Sequence, residues 1–530
     1  MSRLDLISLE IFSNALRSIT DETFVALMKS AYSTNIKERH DHSTAIMDAR
    51  GNLIAQAENS LPIHLASMEG LMRTLLRKYG ENIREGDLFV ANDPHVAGGT
   101  HLPDINLAMP VFGEGRLLGF VANIAHHADV GGMAPGSMSG GMTEIYQEGL
   151  RLPVMRLFDQ GELDEELLEL ILLNVRLPVE RRGDYYAQIA ACRLGARRLA
   201  EVVTRYGTAT TEAGFGQILE RSAERMRRAL AGIPDGTYTF RDAMDDDGVG
   251  NEDLAIAVTV TARAGEISFN FDGTCPQTPG NVNCTMNATV AAVTYAIKAL
   301  LDPDAPNTQS VIESVKVTAP AGCLINCSFP APVAGRAHTC QRIIDVILGA
   351  LADALPDRVT AAPNGANTMA VFSGIHPGTG QGYVYLETVG GGGGARATKN
   401  GKDGVQTGIT NTSNLPVEAI EQEYPLLVEE YGLVPGSGGK GKFYGGRGIR
   451  RVVRPVGHTC IFNGVGERFR LSPWGLFGGE AGKPGRFALR EADGRDAALP
   501  PKTGNRNLGP DQAAIFESPG AGGYGKGGSK

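Results

Sequence analysis

The sequence predicts a multidomain α+β protein, with a helix-rich N-terminal half that carries a metal site and a glycine-rich, β-rich C-terminal half. Three observations support this class. The chain has 530 residues, several times the ~150 residues of an ordinary domain. Apolar residues recur at helical spacing in the first half, whereas glycine, 69 of the 530 residues, dominates after residue 390. We therefore expect three units, at residues 1–232, 233–389 and 390–530.

The N-terminal unit begins and ends with helical patterns. Apolar residues at helical spacing predict helices over 5–33 and 162–230. Between them, a helix is predicted over 61–78. It has Pro62 in its first turn and stops at Gly80, the residue types that favour a helix start and a helix end.

Residues 87–136 differ from these helical stretches, because short apolar runs alternate with clusters of glycine, proline, aspartate and histidine. This alternation predicts strands that deliver polar loops. The strands are expected at 88–91, 105–112 and 117–125, with shorter strand-like stretches within 37–52.

A turn at residues 233–236 separates this unit from the next. Beyond it, paired strands are predicted at 254–261 and 266–271. Helices and strands then interleave, and a last helix is expected over 416–431. The interleaved helices are predicted at 285–301 and 340–355, and the strands at 311–318, 368–373 and 383–389.

Composition argues against several kinds of partner. Fifty basic against fifty-nine acidic residues leave a net charge of −9, so no nucleic acid partner is expected. No apolar run approaches the ~20 residues that cross a bilayer, and the first residues show no secretory signal, so no membrane association is expected. Seven scattered cysteines without a Cys-x-x-Cys pair are typical of reduced thiols, which favours a cytoplasmic location.

Histidine is concentrated near the N-terminus, where seven of the ten lie within the first 127 residues. The pattern His-x-x-Asp occurs there twice, at His101–Asp104 and His126–Asp129, each beside a glycine pair. Imidazole nitrogen together with carboxylate oxygen suits one divalent ion such as Zn, Mn or Fe. Because successive side chains of a strand point to opposite sides, His126 and His127 cannot both face that ion. Asp41, in the polar segment after the first helix, is a further acidic candidate.

Several short motifs are distributed over nearly the whole chain, and those in the first 150 residues are the most specific. They are Lys37–Ser43, Asn92–Pro94, Gly98–Asp104, Ala125–Gly132, Pro135–Ser137, Glu148–Leu150, Asn411–Glu421, Gly445–Gly448 and Pro519–Gly525. Together they resemble the B subunit of the hydantoinase/5-oxoprolinase family, which is similar to the B-type subunits of acetone carboxylase and caprolactamase.

The resemblance implies a division of labour between two subunits of a hetero-oligomer. A partner A subunit, an ATPase of the actin-like type, phosphorylates the substrate, and the B subunit completes the reaction at its metal site. Carried over to this chain, the resemblance implies that the metal ligands are Asp41, His101, Asp104 and His126. His127 and Asp129 would orient these ligands, and Asp129 or Glu148 would assist proton transfer. The candidates for lining the substrate pocket are His64, Asn92, His127 and Ser137.

The chain itself is not expected to bind ATP. Two segments approach the phosphate-loop pattern, with their lysines at Lys442 and Lys526. Both lack the Ser or Thr that would hold Mg²⁺ after the lysine. ATP is therefore expected to be consumed at the partner subunit.

The expected function is ATP-dependent hydrolysis of a cyclic amide, such as a hydantoin, oxoproline or a lactam. An unstrained amide resists hydrolysis, but phosphorylation turns its oxygen into a good leaving group, and a metal ion lowers the pKa of its bound water toward ~7. On this hypothesis, Asp104→Ala empties the metal site and abolishes ring opening but leaves the fold intact. Two alternatives stay open: a subunit of an ATP-dependent ketone carboxylase, and a non-catalytic scaffold with a structural metal site.

Overall fold

The structure, a computed structural model, describes residues 3–527. Helices surround several β-sheets, which confirms the predicted mixture of α and β structure. Within these residues, no helix combines the length and the apolar character needed to cross a membrane. The α-helices are Leu6–Ser30 (α1), Thr34–Lys37 (α2), Leu65–Tyr79 (α3), Glu165–Leu173 (α4), Pro178–Tyr206 (α5), Thr208–Leu230 (α6), Met286–Leu301 (α7), Gln309–Ile312 (α8), Arg336–Ala350 (α9) and Val417–Glu423 (α10).

The largest sheet belongs to the N-terminal part and has seven strands in the order β2-β1-β5-β4-β3-β6-β7. Its strands are His42–Asp48 (β1), Leu53–Gln56 (β2), Leu88–Ala91 (β3), Asp104–Gly113 (β4), Arg116–His126 (β5), Met155–Asp159 (β6) and Glu162–Leu163 (β7). The strands predicted at 88–91, 105–112 and 117–125 are confirmed to within one residue at each end.

Side chains of this sheet alternate between two helical layers, as the two-residue repeat of a strand requires. Ile46 and Val121 are buried in one cluster with residues of α1 and α5. Their chain neighbours Met47 and Phe120 are buried in another cluster with residues of α3. Both faces of the central strands are therefore covered, and the histidines and aspartates gather where the strands end.

The helical stretch predicted over 162–230 is divided into α4, α5 and α6 by two residues that break helices. Pro178 is the first residue of α5, where its missing N–H would have no partner in the helix. Gly207, with a φ of 80°, separates α5 from α6. The three helices thus follow one another closely but change direction at these two points.

The next part of the chain forms a four-stranded sheet in the order β11-β10-β9-β8, packed against α7 and α9. The predicted pairing of two strands is confirmed, with Glu266 opposite Arg263. The strand predicted at 311–318 starts later than expected, because Gln309–Ile312 forms a short helix. The strands are Gly236–Asp246 (β8), Glu252–Arg263 (β9), Glu266–Asn270 (β10) and Val315–Thr318 (β11).

The glycine-rich part contributes to two further sheets, ordered β13-β12-β16-β19 and β14-β15-β20-β17-β18. The first of these contains strands from both sides of residue 390, so it crosses the position where the sequence predicts a boundary. The strands are Thr368–Ile375 (β12), Gly382–Val389 (β13), Leu426–Leu433 (β14), Ile449–Pro455 (β15), Cys460–Val465 (β16), Arg486–Arg490 (β17), Asp496–Leu499 (β18), Lys502–Leu508 (β19) and Ala513–Glu517 (β20).

The helix predicted over 416–431 is correct only in its first half. It ends at Glu423, and Leu426–Leu433 is a strand instead. The reason is Pro425, which disfavours helical backbone in the residue before it. Tyr424 accordingly adopts an extended conformation, with a φ of −129°.

Candidate metal centre

Three neighbouring strands bring Asp41, Asp104 and His126 to the same end of the largest sheet. Asp104 is the first residue of β4 and lies directly opposite His126, the last residue of β5. Asp41 immediately precedes β1, which pairs with the other side of β5, and its carbonyl oxygen accepts a hydrogen bond of 3.0 Å from the His126 N–H. The spacing of these residues in the sequence is therefore explained by strand register.

His101, Asp104 and His126 form the tightest part of this cluster. Each offers one ligand atom, and these atoms lie within 4.8 Å of one another with all three residues buried. Nε2 of His101 lies 3.0 Å from Oδ1 of Asp104, yet neither atom has a hydrogen-bond partner among residues 3–527. Two buried polar atoms that face each other without bonding are the arrangement expected around a cation, so these residues fit a divalent ion.

The electrostatics of the cluster favour metal binding. Burial, assisted by the nearby Arg336, lowers the pKa of His101 to about 4. Burial and the neighbouring His101 also hold the pKa of His126 well below its usual value. Burial would raise the pKa of Asp104, but His101 and Arg336 hold it well below its ordinary value. At neutral pH the cluster therefore offers two neutral imidazoles and one carboxylate, the protonation states that a metal ion requires.

Asp41 lies beside the cluster but outside its innermost group. Its carboxylate is 3.8 Å from the guanidinium of the buried Arg39, and it lines the same cleft as His126. Burial raises the pKa of Asp41 despite the opposing charge of Arg39. Asn35 lies 2.8 Å from Nδ1 of His126 and binds the His126 carbonyl as well, so it fixes the orientation of that ring.

His64 approaches the cluster from the segment before α3. Its Nδ1 lies 2.9 Å from the hydroxyl of Ser43, and its Nε2 lies 3.6 Å from Oδ2 of Asp104. This Nε2 is buried and forms no hydrogen bond within the described part of the chain. The structure thus places His64 against a predicted metal ligand.

Arg336, the first residue of α9, is a component of the site that the sequence did not reveal. Its guanidinium contacts Oδ2 of Asp104 at 2.7 Å and the hydroxyl of Thr100 at 3.3 Å. It therefore occupies one oxygen of Asp104 and leaves Oδ1 directed toward His101. No motif links Arg336 to residues more than two hundred positions earlier, so only the tertiary fold could identify it.

Glu148 supports the cluster indirectly, through the peptide groups of Ala334. One carboxyl oxygen of Glu148 accepts a 2.7 Å hydrogen bond from the Ala334 N–H, while the Ala334 carbonyl lies 3.3 Å from Nδ1 of His101. Burial raises the pKa of Glu148 to about 8, although the backbone N–H of Ala334 opposes this shift. Glu148 is thus mostly protonated at neutral pH. It does not touch the predicted ligand His101 directly, because Ala334 lies between them.

Glu148→Gln is expected to stabilise the metal-free protein at high pH. The pKa of Glu148 rises from 4.5 to about 8 on folding, so the folded state keeps a proton that the unfolded state loses. As the pH rises between these two values, the contribution of Glu148 to the free energy of unfolding of the wild type therefore falls, by at most about 1.4 kcal/mol per pH unit. Glutamine keeps the acceptor for Ala334 but cannot ionise. Thermal unfolding of both proteins should give similar midpoints near about pH 5 and a higher midpoint for the variant near about pH 9; equal pH profiles would contradict the raised pKa.

Asp129, predicted to orient ligands or to transfer protons, has a different setting. Its two carboxylate oxygens accept hydrogen bonds from the N–H groups of Gly131 and Gly136. Arg176 adds an ion pair of 2.9 Å. These contacts hold the carboxylate within its own loop, and its part in orienting ligands or in proton transfer stays a prediction.

His127 points away from His126, as the alternation along a strand predicts. Its Nε2 lies 2.9 Å from the side-chain oxygen of Gln188, and its ring packs on Tyr185. Burial, assisted by Arg181, lowers its pKa to about 4. These contacts anchor the end of β5 to α5. The observed position of His127 therefore differs from the predicted ones, beside the metal and in the substrate pocket.

Asn92 and Ser137, the other predicted pocket residues, also hold loops in place. The Asn92 side chain donates to the carbonyls of Leu102 and Leu150, with bonds of 2.8 and 2.9 Å. The Ser137 hydroxyl accepts from the Val130 N–H at 2.8 Å and donates to a neighbouring carbonyl. Both residues fix the segments that carry the cluster, but neither is among the described residues that line the cleft.

A small cleft opens beside the cluster, with a cavity volume of about 30 Å³. Six of its twelve lining side chains are apolar and six are polar or charged, so apolar and polar groups meet in one wall. The lining side chains are Asp41, Leu61, Ile63, His126, Met138, Arg336, Ala337, Asn367, Leu386, Thr388, Ile409 and Thr410. Its mixture of apolar wall and predicted metal ligands makes it the candidate active site.

A larger cleft, with a cavity volume of about 560 Å³, lies between α1, β2 and α6. Several of its charged side chains are already paired, as Glu10 and Arg221 are at 2.6 Å. It contains none of the metal-ligand group found among residues 3–527. Size alone therefore does not identify the site.

Comparisons with known proteins agree with this geometry. A family model described as hydantoinase B/oxoprolinase matches residues 5–527. The B-type subunit of a putative D-/L-hydantoinase from Pseudomonas sp. (strain NS671) is 31% identical over 99% of this chain and 90% of its own length. The 5-oxoprolinase 1 of Arabidopsis thaliana is 34% identical over 98% of this chain, which spans only 42% of the length of that protein.

A solved structure is also similar to this chain over nearly its whole length. The crystal structure of an ATP-dependent caprolactamase from Pseudomonas jessenii superposes with a TM-score of 0.92 and 29% sequence identity, covering 99% of this chain and 92% of that one. The motifs, the fold and the match over nearly the whole sequence are consistent with one another. The chain belongs to the hydantoinase B/oxoprolinase family.

Proposed function

We propose that this chain is the metal-containing B subunit of an ATP-dependent enzyme that hydrolyses a cyclic amide after a partner A subunit has phosphorylated it. The observation that carries the proposal is the buried group of His101, Asp104 and His126 beside a small cleft. Membership in the hydantoinase B/oxoprolinase family supports it. The names of relatives, a hydantoinase subunit and an oxoprolinase, support a ring amide as the substrate.

The chemistry explains why two subunits are needed. A cyclic amide without ring strain has a resonance-stabilised carbonyl and a poor leaving group. Phosphorylation by an ATPase partner provides the leaving group. Hydrolysis then still requires an activated water molecule and a site that excludes bulk solvent, and the buried cleft of this chain supplies such a site.

His101, Asp104 and His126 would hold one divalent ion, Zn, Mn or Fe, and Asp41 would complete the set from the cleft wall. Such an ion would supply Lewis acidity and lower the pKa of a water molecule that it binds. The burial of the imidazoles keeps them neutral and available for binding. The ketone-carboxylase and scaffold hypotheses use the same ligands, so only an activity measurement separates them.

The surrounding residues orient these ligands and prepare the cleft for charge. Arg336 binds one oxygen of Asp104 and thereby fixes the direction of the other. Because Arg336 also lines the cleft, its positive charge lies close to where a phosphorylated substrate would bring negative charge. Glu148 holds Ala334, whose carbonyl orients the ring of His101.

Phosphate release from ATP by the reconstituted pair is expected to depend on a cyclic amide. The experiment is co-expression with an A-type ATPase subunit and a screen of hydantoins, oxoproline, lactams and ketones, each with and without bicarbonate. On this proposal both subunits are required, cyclic amides are opened, and bicarbonate has no effect. Turnover that needs a ketone together with bicarbonate would establish the carboxylase alternative. A bound metal without any turnover in the screen would favour the scaffold.

A further inference from the structure

Asn367 has three features that the proposed metal site does not explain. It lines the cleft beside His126 and Asp41, and it is only 6% exposed. Its side-chain oxygen is buried and has no hydrogen-bond partner among residues 3–527. Its backbone has a φ of 39°, in the left-handed region that few residues other than glycine adopt. An unpaired buried carboxamide in a left-handed backbone segment indicates a functional constraint.

The side chain of Asn364 holds the loop that carries Asn367 in place. The Asn364 side chain donates to the Gly392 carbonyl and to the hydroxyl of Thr407, and its oxygen accepts from the Ala366 N–H. These bonds satisfy Asn364 and hold the following residues in place. Asn367, three residues later, is therefore held beside the cleft with its side-chain oxygen unpaired.

The other polar groups near this point are already engaged. The hydroxyl of Thr388 is bonded to Arg39, and Arg336 is paired with Asp104. Met138 and Leu386 form apolar wall, which suits the methylene groups of a small ring. A ligand in the cleft thus meets the Asn367 carboxamide together with apolar side chains, Thr410 and the polar side chains of the predicted metal site.

We propose that Asn367 recognises the substrate by pairing with its ring amide, an inference that rests on the proposed function and specifies its substrate class. In a small ring the amide is cis, so its N–H and C=O lie on the same edge. A primary carboxamide presents the complementary C=O and N–H in the same way, which allows two hydrogen bonds at once. The substrate class is therefore a cyclic amide with an unsubstituted ring nitrogen, and a ketone lacks the required donor.

The carboxamide also suits the phosphorylated substrate. Once the ring oxygen carries phosphate, the ring nitrogen accepts a hydrogen bond and no longer donates one. A half-turn of the Asn367 amide then presents its NH₂ group to that nitrogen. A carboxylate or an apolar side chain at this position could not serve both forms.

The test uses the full chain, with Asn367→Gly as the variant and Asn505→Gly as its matched control. Glycine removes the carboxamide but accepts the positive φ without strain. Asn505 is exposed and also has a positive φ, of 47°, so its substitution makes the same chemical change outside the cleft. The probes are 2-pyrrolidone, 2-piperidone and ε-caprolactam, each compared with its N-methyl derivative in ligand-observed NMR titrations.

We expect the wild-type chain to bind at least one lactam about tenfold or more tightly than its N-methyl derivative, because the methyl group leaves the Asn367 oxygen unpaired. Asn367→Gly should abolish this preference, and Asn505→Gly should retain it. A preference that survives Asn367→Gly, or the absence of lactam binding by the wild type, would overturn the inference. Metal content, measured in the same samples, separates the two proposals: bound metal without the preference refutes only the role of Asn367, whereas the preference without bound metal refutes the metal function.

Discussion

Asp104→Asn is expected to empty the metal site and to lower cyclic amide hydrolysis by about a thousandfold or more, since a catalytic metal supplies several kcal/mol of transition-state stabilisation. The substitution removes the negative charge from the middle of the cluster, where Oδ1 faces Nε2 of His101 at 3.0 Å. It keeps the shape of the side chain and an oxygen for Arg336. Metal content by mass spectrometry and turnover with the partner subunit are the measurements.

The structure changes the choice of variant. The sequence predicts that Asp104→Ala leaves the fold intact, but this change would leave the buried guanidinium of Arg336 without its carboxylate. Breaking such a buried pair costs about 3–5 kcal/mol, so loss of activity in the alanine variant would not distinguish metal loss from unfolding. Asparagine also leaves the guanidinium without a compensating charge, but it keeps an oxygen that accepts a hydrogen bond from Arg336, so it should cost less than alanine, and thermal unfolding of the variant checks its fold.

The control for Asp104→Asn is Asp272→Asn, which makes the same change at an exposed position. It should retain full metal content and activity. If Asp104→Asn also retains a full equivalent of metal and normal turnover, the cluster is not the site of the ion. If it loses the metal but keeps its turnover, the ion is structural and the scaffold hypothesis gains support.

The inner cluster could be predicted because it depends on local rules. His101, Asp104 and His126 lie at the ends of a hairpin whose strands are evident from their apolar runs, and strand register places Asp104 opposite His126. The alternation of side chains correctly indicates that His126 and His127 face opposite ways. These are short-range consequences of the sequence.

The two copies of the His-x-x-Asp pattern differ in their backbone setting. Asp104 begins a strand, so its carboxylate extends into the cluster, whereas Asp129 lies in the loop after a strand. There the backbone N–H groups of Gly131 and Gly136 bind its carboxylate. Equal spacing in the sequence therefore does not give equal surroundings when the backbone conformation differs.

Arg336 and Asn367 could not be predicted, because their roles depend on packing between distant segments. Arg336 reaches Asp104 from the start of a helix 232 residues later in the chain. Asn367 reaches the cleft only because its loop is fixed to a glycine-rich segment. Neither position carries a local pattern that distinguishes it from an ordinary surface arginine or turn asparagine.

The abundance of glycine in the C-terminal part is explained by close contact between backbones. Gly446 donates a 2.9 Å hydrogen bond to the Gly393 carbonyl and accepts one of 3.0 Å from the Ala521 N–H. Gly393 in turn donates to the Lys402 carbonyl at 2.8 Å. Several glycine-rich segments thus pack side by side through their main chains, where side chains would keep them apart.

Gly446→Ala is expected to destabilise the protein by about 3 kcal/mol, the upper end of the usual cost of overpacking, because the contact is rigid. A Cβ added at Gly446 would lie closer than 3 Å to the carbonyl group of Lys402 and to the amide nitrogen of Gly393. These are backbone atoms, so no side chain can turn aside to relieve the overlap. Thermal unfolding and the yield of soluble protein are the measurements.

Gly432→Ala is the matched control. Gly432 is an exposed residue of β14, and a Cβ added there would meet no atom within 4 Å. Its substitution should change the free energy of unfolding by no more than about 0.5 kcal/mol. Equal unfolding midpoints for the two variants would show that the glycine segments are loosely packed and would refute this account.

Gly446→Ala should also affect the cleft, because a series of hydrogen bonds connects Gly446 to the loop of Asn367. Gly446 binds Gly393, and the neighbouring Gly392 carbonyl accepts hydrogen bonds from Asn364, which holds the loop of Asn367. A shift of Gly393 that relieves the overlap should therefore displace Asn367 as well. The lactam preference proposed for Asn367 should consequently weaken in any folded fraction of Gly446→Ala, whereas metal binding by the N-terminal sheet should persist.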